Sequence, residues 1–379
     1  MVITRLYIRN FRNIREAELT FDKSLNIFVG KNAQGKTNLM EALSVCLGGS
    51  FRHVRFSQYI PVSEPGAEVF IRLCFRDDNA DNTARENVVE YTISNNKPQV
   101  TYNGMKVSDA AKLYGVLKYV VFVPEHLNLI KGAPELRRAY LDDVAVMQTH
   151  THLKKLSSYN RGLKQRNNIL TFAKKDISPE ELSAQLAPWN EVLASEGINV
   201  TYGRLKYFVF LQEYAAEIYS RLTEGAEFLK MEYCSSIFKT DSIDFADVNK
   251  LFRQYVSEME NNLQTELKLR YTAAGVHRDD VNFYINSMPA RDFASQGQLR
   301  SAALALKLSE AEIIRRKNKT CPVVILDDIL SELDFVRRGF VINNIDKSQV
   351  FITCCNMDDL SSLSGGKTWH TENGVFTEV

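Results

Sequence analysis

The chain has 379 residues, of which 45% are hydrophobic and 25% are charged, and its formal net charge is +1. This composition is that of an ordinary globular protein, large enough for two domains, and it excludes nucleic-acid binding through overall charge alone. Any DNA contact must come from local patches or from two subunits around the duplex. The six cysteines lack C-x-x-C spacing, the N-terminus is too polar for a signal peptide, and no apolar run approaches the roughly 18 residues that cross a bilayer. These features predict a cytoplasmic protein with free thiols that does not enter a membrane.

The first predicted elements are strands. Four segments alternate apolar and polar side chains, as strands with one buried face do: residues 3–8, 18–21, 68–75 and 88–93. The polar residues 77–87 predict a loose hairpin connection, and the apolar run 25–29 predicts a short buried strand. We therefore expect an antiparallel sheet packed beside a second sheet within residues 1–134.

Residues 30–37 read Gly-Lys-Asn-Ala-Gln-Gly-Lys-Thr, a complete G-x-x-x-x-G-K-[ST] phosphate loop between that buried strand and a helical apolar pattern. Gly30 and Gly35 allow a tight turn whose N–H groups point at phosphate oxygens. Lys36 supplies a positive charge to the β- and γ-phosphates, and the Thr37 hydroxyl can ligate Mg²⁺. The dipole of the following helix adds to this anion site. The motif predicts a nucleotide site formed by Gly30, Lys31, Asn32, Ala33, Gln34, Gly35, Lys36 and Thr37.

Residues 135–270 are predicted to form an inserted helical domain. Glycine and proline become sparse there, and helical periodicity dominates over residues 153–174, 180–197, 200–223 and 249–268. The α/β pattern returns in residues 271–379. The nucleotide-binding domain is therefore expected to be split, with 1–134 and 271–379 on either side of the insertion.

Residues 323–328 form a second motif, in which four apolar residues precede two acids. A buried strand beside the phosphate-loop strand would deliver Asp327 to the Mg²⁺ ion at its carboxyl end. Asp328, one residue later, could orient or deprotonate the attacking water. Together with the phosphate loop, the motif predicts Lys36, Asp327 and Asp328 as catalytic residues. Thr37 and Asp327 are predicted to hold Mg²⁺.

A third motif, Ser295-Gln-Gly-Gln298, stands directly before the long helical pattern at 299–316. Ser295 and Gly297 would present an open polar helix N-terminus, which is either a second anion site or a simple N-cap. One nucleotide does not need two helix ends from distant segments of one subunit. A second subunit could place its Ser295 helix against the γ-phosphate, so that ATP is sandwiched between two copies.

The order of these motifs, followed by Ser331-Glu-Leu-Asp334, is that of ABC-type ATPases. More narrowly, the chain resembles the RecF family, bacterial recombination-mediator ATPases related to SMC and Rad50 heads. The matching segments span most of the chain and are residues 10–13, 30–42, 50–52, 136–142, 159–170, 275–280, 295–300 and 326–334.

The resemblance implies an α/β fold: an ABC-type ATPase head, with a mixed sheet that carries the phosphate loop and an antiparallel sheet, and an inserted α-helical domain. It implies a slow, DNA-stimulated ATPase that acts as a switch. An ATP-bound homodimer would clamp double-stranded DNA or a gapped single–double-strand junction and help mediators such as RecR- or RecO-like proteins to load recombinase, and hydrolysis would release it. The further residues that the resemblance assigns are Arg12 and Asn13 at the nucleotide, Ser295, Gly297 and Gln298 at the nucleotide in trans, and Ser331 and Asp334 at the dimer contact.

Five basic residues on or near one helical stretch are candidates for contacts to DNA phosphates: Lys154, Lys155, Arg161, Lys164 and Arg166. A solvated basic face explains them equally well from the sequence. Because no base-reading module is evident, binding to the DNA backbone or to junction shape is expected.

Two alternative functions stay open. The chain could be the energy-coupling subunit of a membrane transporter, but it lacks a Leu-Ser-Gly-Gly-Gln signature and carries a much longer insertion. It could instead be an ATPase that serves a nuclease, but long coiled-coil heptads are missing and no acidic metal-nuclease domain follows Asp334.

Overall fold

The computed structural model describes residues 1–48, 56–76, 86–95, 97–107, 113, 115–174, 177–240, 243–345, 347–356 and 365–379. Most of the predicted connection at 77–87 and the matching segment at 50–52 lie outside these residues. The chain divides into two compact units: the first comprises residues 1–128 and 300–379, and the second comprises residues 129–299. These boundaries differ from those expected at 134/135 and 270/271.

The first unit contains an antiparallel sheet with the strand order β2-β1-β4-β5-β6-β7. Its strands are β1 Val2–Phe11, β2 Ile14–Thr20, β4 Val69–Arg76, β5 Asn87–Ser94, β6 Lys97–Tyr102 and β7 Met105–Lys106. The alternation seen in the sequence buries Leu6 and Ile71 on one face and leaves Arg9 and Arg72 exposed on the other. Helix α1, Lys36–Cys46, packs on this sheet.

The second sheet of this unit has the order β15-β14-β3-β13-β12-β8. Its strands are β3 Leu25–Val29, β8 Tyr119–Phe122, β12 Val323–Asp327, β13 Val350–Cys354, β14 Lys367–Glu372 and β15 Val375–Glu378. All neighbours pair in parallel except β14 and β15, so the sheet is mixed, as predicted. The carboxyl ends of β3, β13 and β12 therefore meet at one edge. Helix α9, Phe335–Ile345, belongs to the same unit.

The second unit is mainly helical but also has a three-stranded antiparallel sheet. Its helices are α2 Pro134–Gln148, α3 His150–Phe172, α4 Pro179–Leu222, α5 Val248–Asn261, α6 Leu263–Leu269 and α7 Ala290–Phe293. Its strands are β9 Leu229–Cys234, β10 Asp280–Ile285 and β11 Met288–Pro289. Because β9 pairs along its length with β10, the unit extends beyond residue 270. The chain leaves it within helix α8, Gln296–Asn318.

Helix α4 is one helix of 44 residues, whereas the sequence predicted two helices, over 180–197 and 200–223. Ser178 begins it by accepting a hydrogen bond from the Glu181 N–H at 3.1 Å. Gly197, the last residue of the first of these predicted helices, lies inside α4 and serves packing. A Cβ atom at Gly197 would lie 2.6 Å from the ring of Tyr255, so the missing side chain lets α5 approach α4 closely. In the part of the chain that the structure describes, no helix is long and apolar enough to cross a bilayer.

The second unit is expected to lose stability in acid through His277. Its Nε2 donates to the carbonyl oxygen of Thr272 at 3.2 Å, so its Nδ1 accepts from the Tyr159 hydroxyl at 2.8 Å. Burial lowers the pKa of His277 from 6.5 to about 4. Between pH 6.5 and about 4, the unfolded chain binds a proton at this histidine that the folded chain does not. The free energy of unfolding therefore falls as the pH falls, by about 3 kcal/mol over the whole range. Denaturant titrations near neutral pH and in mild acid measure the effect. His277→Gln should make the free energy of unfolding less dependent on pH in this range. An equally steep pH dependence in that variant would show that His277 is not its cause.

Candidate functional site

The phosphate loop joins β3 to α1 and can be built only around its two glycines. A Cβ atom on Gly30 would lie 2.2 Å from the carbonyl oxygen of Thr371 on β14. Gly35 has a φ of +117°, which side chains other than glycine rarely adopt, and its Cβ position faces Asn13 at 3.0 Å. Any larger residue at either position would displace the loop from its neighbours.

Lys36 stands at the start of α1 with its side chain buried. Its Nζ donates to the carbonyl oxygens of Gly30, at 2.5 Å, and Lys31, at 2.9 Å. Among the described residues, no side chain caps the N-terminus of α1. The first-turn N–H groups and the ammonium group therefore present positive charge together at this end of the helix.

The residues of the two predicted motifs meet at the carboxyl edge of the mixed sheet. The Thr37 hydroxyl donates to Asp327 Oδ1 at 3.1 Å, although the two residues are 290 positions apart. Asp327 is almost fully buried at the end of β12. Asp328 lines the same cleft as Lys36 and Thr37. The structure thus brings Lys36, Thr37, Asp327 and Asp328 together. The prediction that β12 lies beside the phosphate-loop strand is wrong, because β13 separates β12 from β3.

Thr353, the second-last residue of β13, connects the two acids, a role that was not predicted from the sequence. Its hydroxyl donates to Asp327 Oδ1 at 2.8 Å and accepts from the Asp328 backbone N–H at 2.9 Å. Asp328 has a φ of +52°, a strained conformation for a residue with a side chain. The buried Thr353 hydroxyl therefore orients the Asp327 carboxylate and helps to hold the backbone of Asp328. In the sequence, Thr353 is a polar residue near the end of an otherwise apolar buried strand.

Thr353→Val is expected to lower ATP hydrolysis about 10- to 100-fold, because valine keeps the shape but removes both hydrogen bonds and lets the acids shift. The variant should also need more Mg²⁺ for half-maximal activity. Thr353→Ser, which keeps the hydroxyl, should restore both. Steady-state hydrolysis over a Mg²⁺ series measures this, and a valine variant with wild-type rates and Mg²⁺ dependence would rule out the role.

Arg12 and Asn13 lie in the turn between β1 and β2, close to the loop. Arg12 forms a two-pronged ion pair with the buried Glu41, at 2.5 and 2.8 Å, and its guanidinium lies 5.7 Å from the Tyr59 ring centroid. Asn13 donates to the Gln34 carbonyl oxygen at 3.2 Å. Arg12 is thus anchored to α1 through Glu41, and Asn13 contacts the phosphate loop itself.

Ser295 belongs to the second unit and caps α8. Its hydroxyl accepts from the Gln298 N–H at 3.2 Å, while the Gln298 side chain accepts from the Ser295 N–H at 2.8 Å, which is a reciprocal capping box. Gln298 also donates to Glu227 at 2.7 Å. The simple N-cap considered from the sequence is therefore present, and Ser295 itself remains exposed.

Ser331 and Asp334, the predicted dimer-contact residues, follow β12 in the first unit. The Ser331 hydroxyl donates to the Asp328 carbonyl oxygen at 2.7 Å. Asp334 caps the start of α9 by accepting from the Arg337 N–H at 3.0 Å; this hydrogen bond, followed by the ion pair with the Arg337 guanidinium, lowers the pKa of Asp334. Asp334 and the next two residues, Phe335 and Val336, are exposed, and the latter two expose 83% and 66% of their surface.

The prediction that Arg166 contacts DNA is wrong. Arg166 is completely buried in the second unit, where it pairs with Glu266 at 2.6 Å and donates to Asn190 and Thr272, both at 2.8 Å. Its place in the helical pattern was that of a core residue. Lys155 forms an ion pair with Glu196 at 3.4 Å, whereas the other three candidates, Lys154, Arg161 and Lys164, are exposed on α3.

The site suits a phosphate chain and a magnesium ion. A cradle of glycines with uncapped helix amides and a buried ammonium group accepts anionic oxygens. The Thr37 hydroxyl and the Asp327 carboxylate are oxygen donors 3.1 Å apart, and Mg²⁺ in nucleotide sites takes one or two such protein ligands together with phosphate oxygens.

Comparisons with known proteins agree with this chemistry. Over residues 2–370 the chain matches the family described as RecF/RecN/SMC N terminal domain. Two relatives named DNA replication and repair protein RecF, from Bacillus thuringiensis (strain Al Hakam) and Bacillus cereus (strain B4264), are each 33% identical to it over 379 residues, which cover 99% of this chain and 98% of the relative.

Solved structures give the same picture. The recombination mediator protein RecF-ATPrS in the RecFOR pathway is similar with a TM-score of 0.89 at 30% identity, covering 100% of this chain and 98% of that chain. The RecF-ATP form has a TM-score of 0.88 at 29% identity, covering 100% and 97%. An SMC head bound to the C-winged helix domain of ScpA, at a TM-score of 0.55, 15% identity and coverage of 100% and 97%, shares the fold.

Proposed function

Because the chain belongs to the RecF family, within the RecF/RecN/SMC N-terminal domains, we propose that it is an ATP-dependent DNA-binding protein of DNA replication and recombinational repair. It is an ATPase of the ABC type, and ATP hydrolysis serves it as a switch. The observation that carries the proposal is that Lys36, Thr37 and Asp327 lie together at the carboxyl edge of the mixed sheet. A phosphate loop alone would bind nucleotide but would lack the acid that hydrolysis requires.

Each residue at this edge of the mixed sheet has a separate role. The loop amides and Lys36 hold the phosphates, and Arg12 and Asn13 support the loop from the turn at its side. Thr37 and Asp327 hold Mg²⁺, which neutralises charge on the phosphates when it is bound. Asp328 orients or deprotonates the attacking water.

The signature segment completes the site in trans. Ser295, Gly297 and Gln298 at the start of α8 would face the γ-phosphate held by a second copy, so that ATP binding and dimerisation are one event. The capping box supports this role because it gives the exposed Ser295 a defined position. Ser331 and Asp334 would lie at the contact, and the exposed Phe335 and Val336 add apolar surface to it.

The dimer would close on DNA, and hydrolysis would release it. We expect contacts to the DNA backbone at double strands and at gapped single–double-strand junctions, with no base readout. RecR- or RecO-like mediators would be the protein partners. The protein would act in the cytoplasm, a reducing compartment that agrees with its six free cysteines.

Charge removal on α3 tests the DNA surface. The triple variant Lys154→Gln, Arg161→Gln, Lys164→Gln is expected to weaken binding to double-stranded DNA and to reduce the slope of log K against log salt by up to about 3, because each lost phosphate contact removes about 0.9. Fluorescence anisotropy over a salt series measures both quantities.

A matched triple variant controls for the loss of charge. Lys239→Gln, Lys250→Gln and Lys268→Gln remove three exposed lysines elsewhere in the second unit. If the two triple variants bind DNA equally well, α3 is not the DNA surface.

The proposed function is tested by steady-state ATP hydrolysis with and without double-stranded DNA over a range of protein concentrations. A rate that rises with DNA, and more than linearly with protein, is the expected result. A rate that is indifferent to both would contradict a DNA-sensing dimer.

A further inference from the structure

The hairpin formed by β14 and β15 rests on the phosphate loop through its turn. Glu372 and Val375 pair at the end of the strands, and the turn residues Asn373 and Gly374 have φ values of +50° and +79°. Positive φ at both positions defines a type I′ turn. Such a turn leaves the N–H groups of its two central residues outside the strand ladder, so they are available to other acceptors.

Gln34 accepts both of these hydrogen bonds. The Asn373 N–H donates to the Gln34 side-chain oxygen at 2.7 Å, and the Gly374 N–H donates to the Gln34 carbonyl oxygen at 2.8 Å. Gln34 is an unconstrained position of the phosphate-loop pattern, about 340 residues away along the chain. The loop is thus tied to the turn through its main chain and its side chain together.

The approach is close over the whole contact. A Cβ atom on Gly374 would lie 2.3 Å from the Asn13 carbonyl oxygen, and one on Gly35 would lie 3.3 Å from Gly374 Cα. At the other end of the loop, Gly30 lies against Thr371. The hairpin therefore bounds the loop at both of its glycines.

We propose that the β14–β15 hairpin is a positioning element of the nucleotide site, and that Gln34 couples the two. Residues 371–374 hold the loop in the shape in which its amides converge on phosphate. By reciprocity, bound nucleotide makes the hairpin more ordered. This inference rests on the proposed function, because it assumes that the loop binds ATP.

The test compares the wild type with Gln34→Met, which keeps the length of the side chain but removes its acceptor. Thr377→Ala, an exposed position on the same hairpin, is the control. Binding of Mg²⁺ with a non-hydrolysable ATP analogue is measured by calorimetry, KM and kcat by steady-state hydrolysis with ATP, and hydrogen exchange of residues 367–379 by mass spectrometry. Thermal melts check the fold.

We expect Gln34→Met to raise Kd and KM about 3- to 10-fold, which is the effect of losing one exposed hydrogen bond. The value of kcat should stay within about twofold of wild type. In the wild type and in Thr377→Ala, nucleotide should slow exchange in the hairpin. In Gln34→Met this slowing should be reduced, because only the hydrogen bond from Gly374 to the Gln34 main chain remains. Unchanged Kd and unchanged hairpin protection in Gln34→Met would overturn the coupling alone. If nucleotide does not change hydrogen exchange in the hairpin of the wild type, the coupling is overturned whether or not Gln34→Met folds. Failure of the wild type to bind the analogue would overturn the proposed function, and the coupling with it.

Discussion

Asp328→Asn is expected to lower ATP hydrolysis by about 100-fold or more while ATP binding is kept. The amide matches the carboxylate in shape but cannot take a proton from water. Because Lys36, Thr37 and Asp327 remain in place, phosphates and Mg²⁺ are still held. ATP should therefore accumulate on the protein and lengthen the lifetime of the dimer. Single-turnover hydrolysis and size-exclusion chromatography with ATP measure the two effects.

Glu64→Gln is the matched control, since it removes an exposed carboxylate of the first unit that lies outside the predicted motifs. It should hydrolyse ATP at the wild-type rate. An Asp328→Asn protein with a rate near that of the control would show that another group activates water.

Lys36→Met is expected to abolish ATP binding and dimerisation together, with a loss of affinity of about 100-fold or more. The Lys36 side chain is buried and only 6% exposed, so its ammonium group acts on the phosphates with little screening by water. Methionine fills the same space without the charge. Calorimetry with Mg²⁺ and ATP measures binding, and light scattering measures the oligomeric state.

Lys23→Met, an exposed lysine before β3, controls for the loss of one positive charge and should bind ATP normally. If Lys36→Met still forms ATP-dependent dimers, dimerisation does not depend on nucleotide bound at the phosphate loop. The proposed switch would then be contradicted.

The local parts of the site were predictable from sequence because each is a short motif next to a regular element. The phosphate loop requires its glycines, Lys36 and Thr37 within eight residues, and β12 is a run of buried apolar residues that ends in two acids. The mixed and antiparallel sheets also agree with the prediction, since β3, β12 and β13 are short and buried while β1 and β4 alternate.

What the sequence could not provide were contacts between distant segments. Thr353 matters only because β13 lies next to β12, and the hairpin turn only because β14 lies next to β3. Arg166 occupies a core position of α3, but it looked like a surface cation because Glu266, which neutralises its charge, is 100 residues away in the sequence. The segments 180–197 and 200–223 belong to one helix, and the packing role of Gly197 within it depends on Tyr255, which is distant in the sequence.

The most direct test of a composite site between two copies is to mix two inactive variants, Asp328→Asn and Ser295→Arg. Each should hydrolyse ATP poorly alone, the first for lack of the catalytic carboxylate and the second because arginine blocks the signature segment. A mixed dimer has one site with both parts intact. If Ser295 acts in trans, an equimolar mixture should recover up to about a quarter of the wild-type rate, the value reached when half of the dimers are mixed and each has one working site. A mixture no more active than the average of the two variants would contradict the ATP-sandwiched dimer.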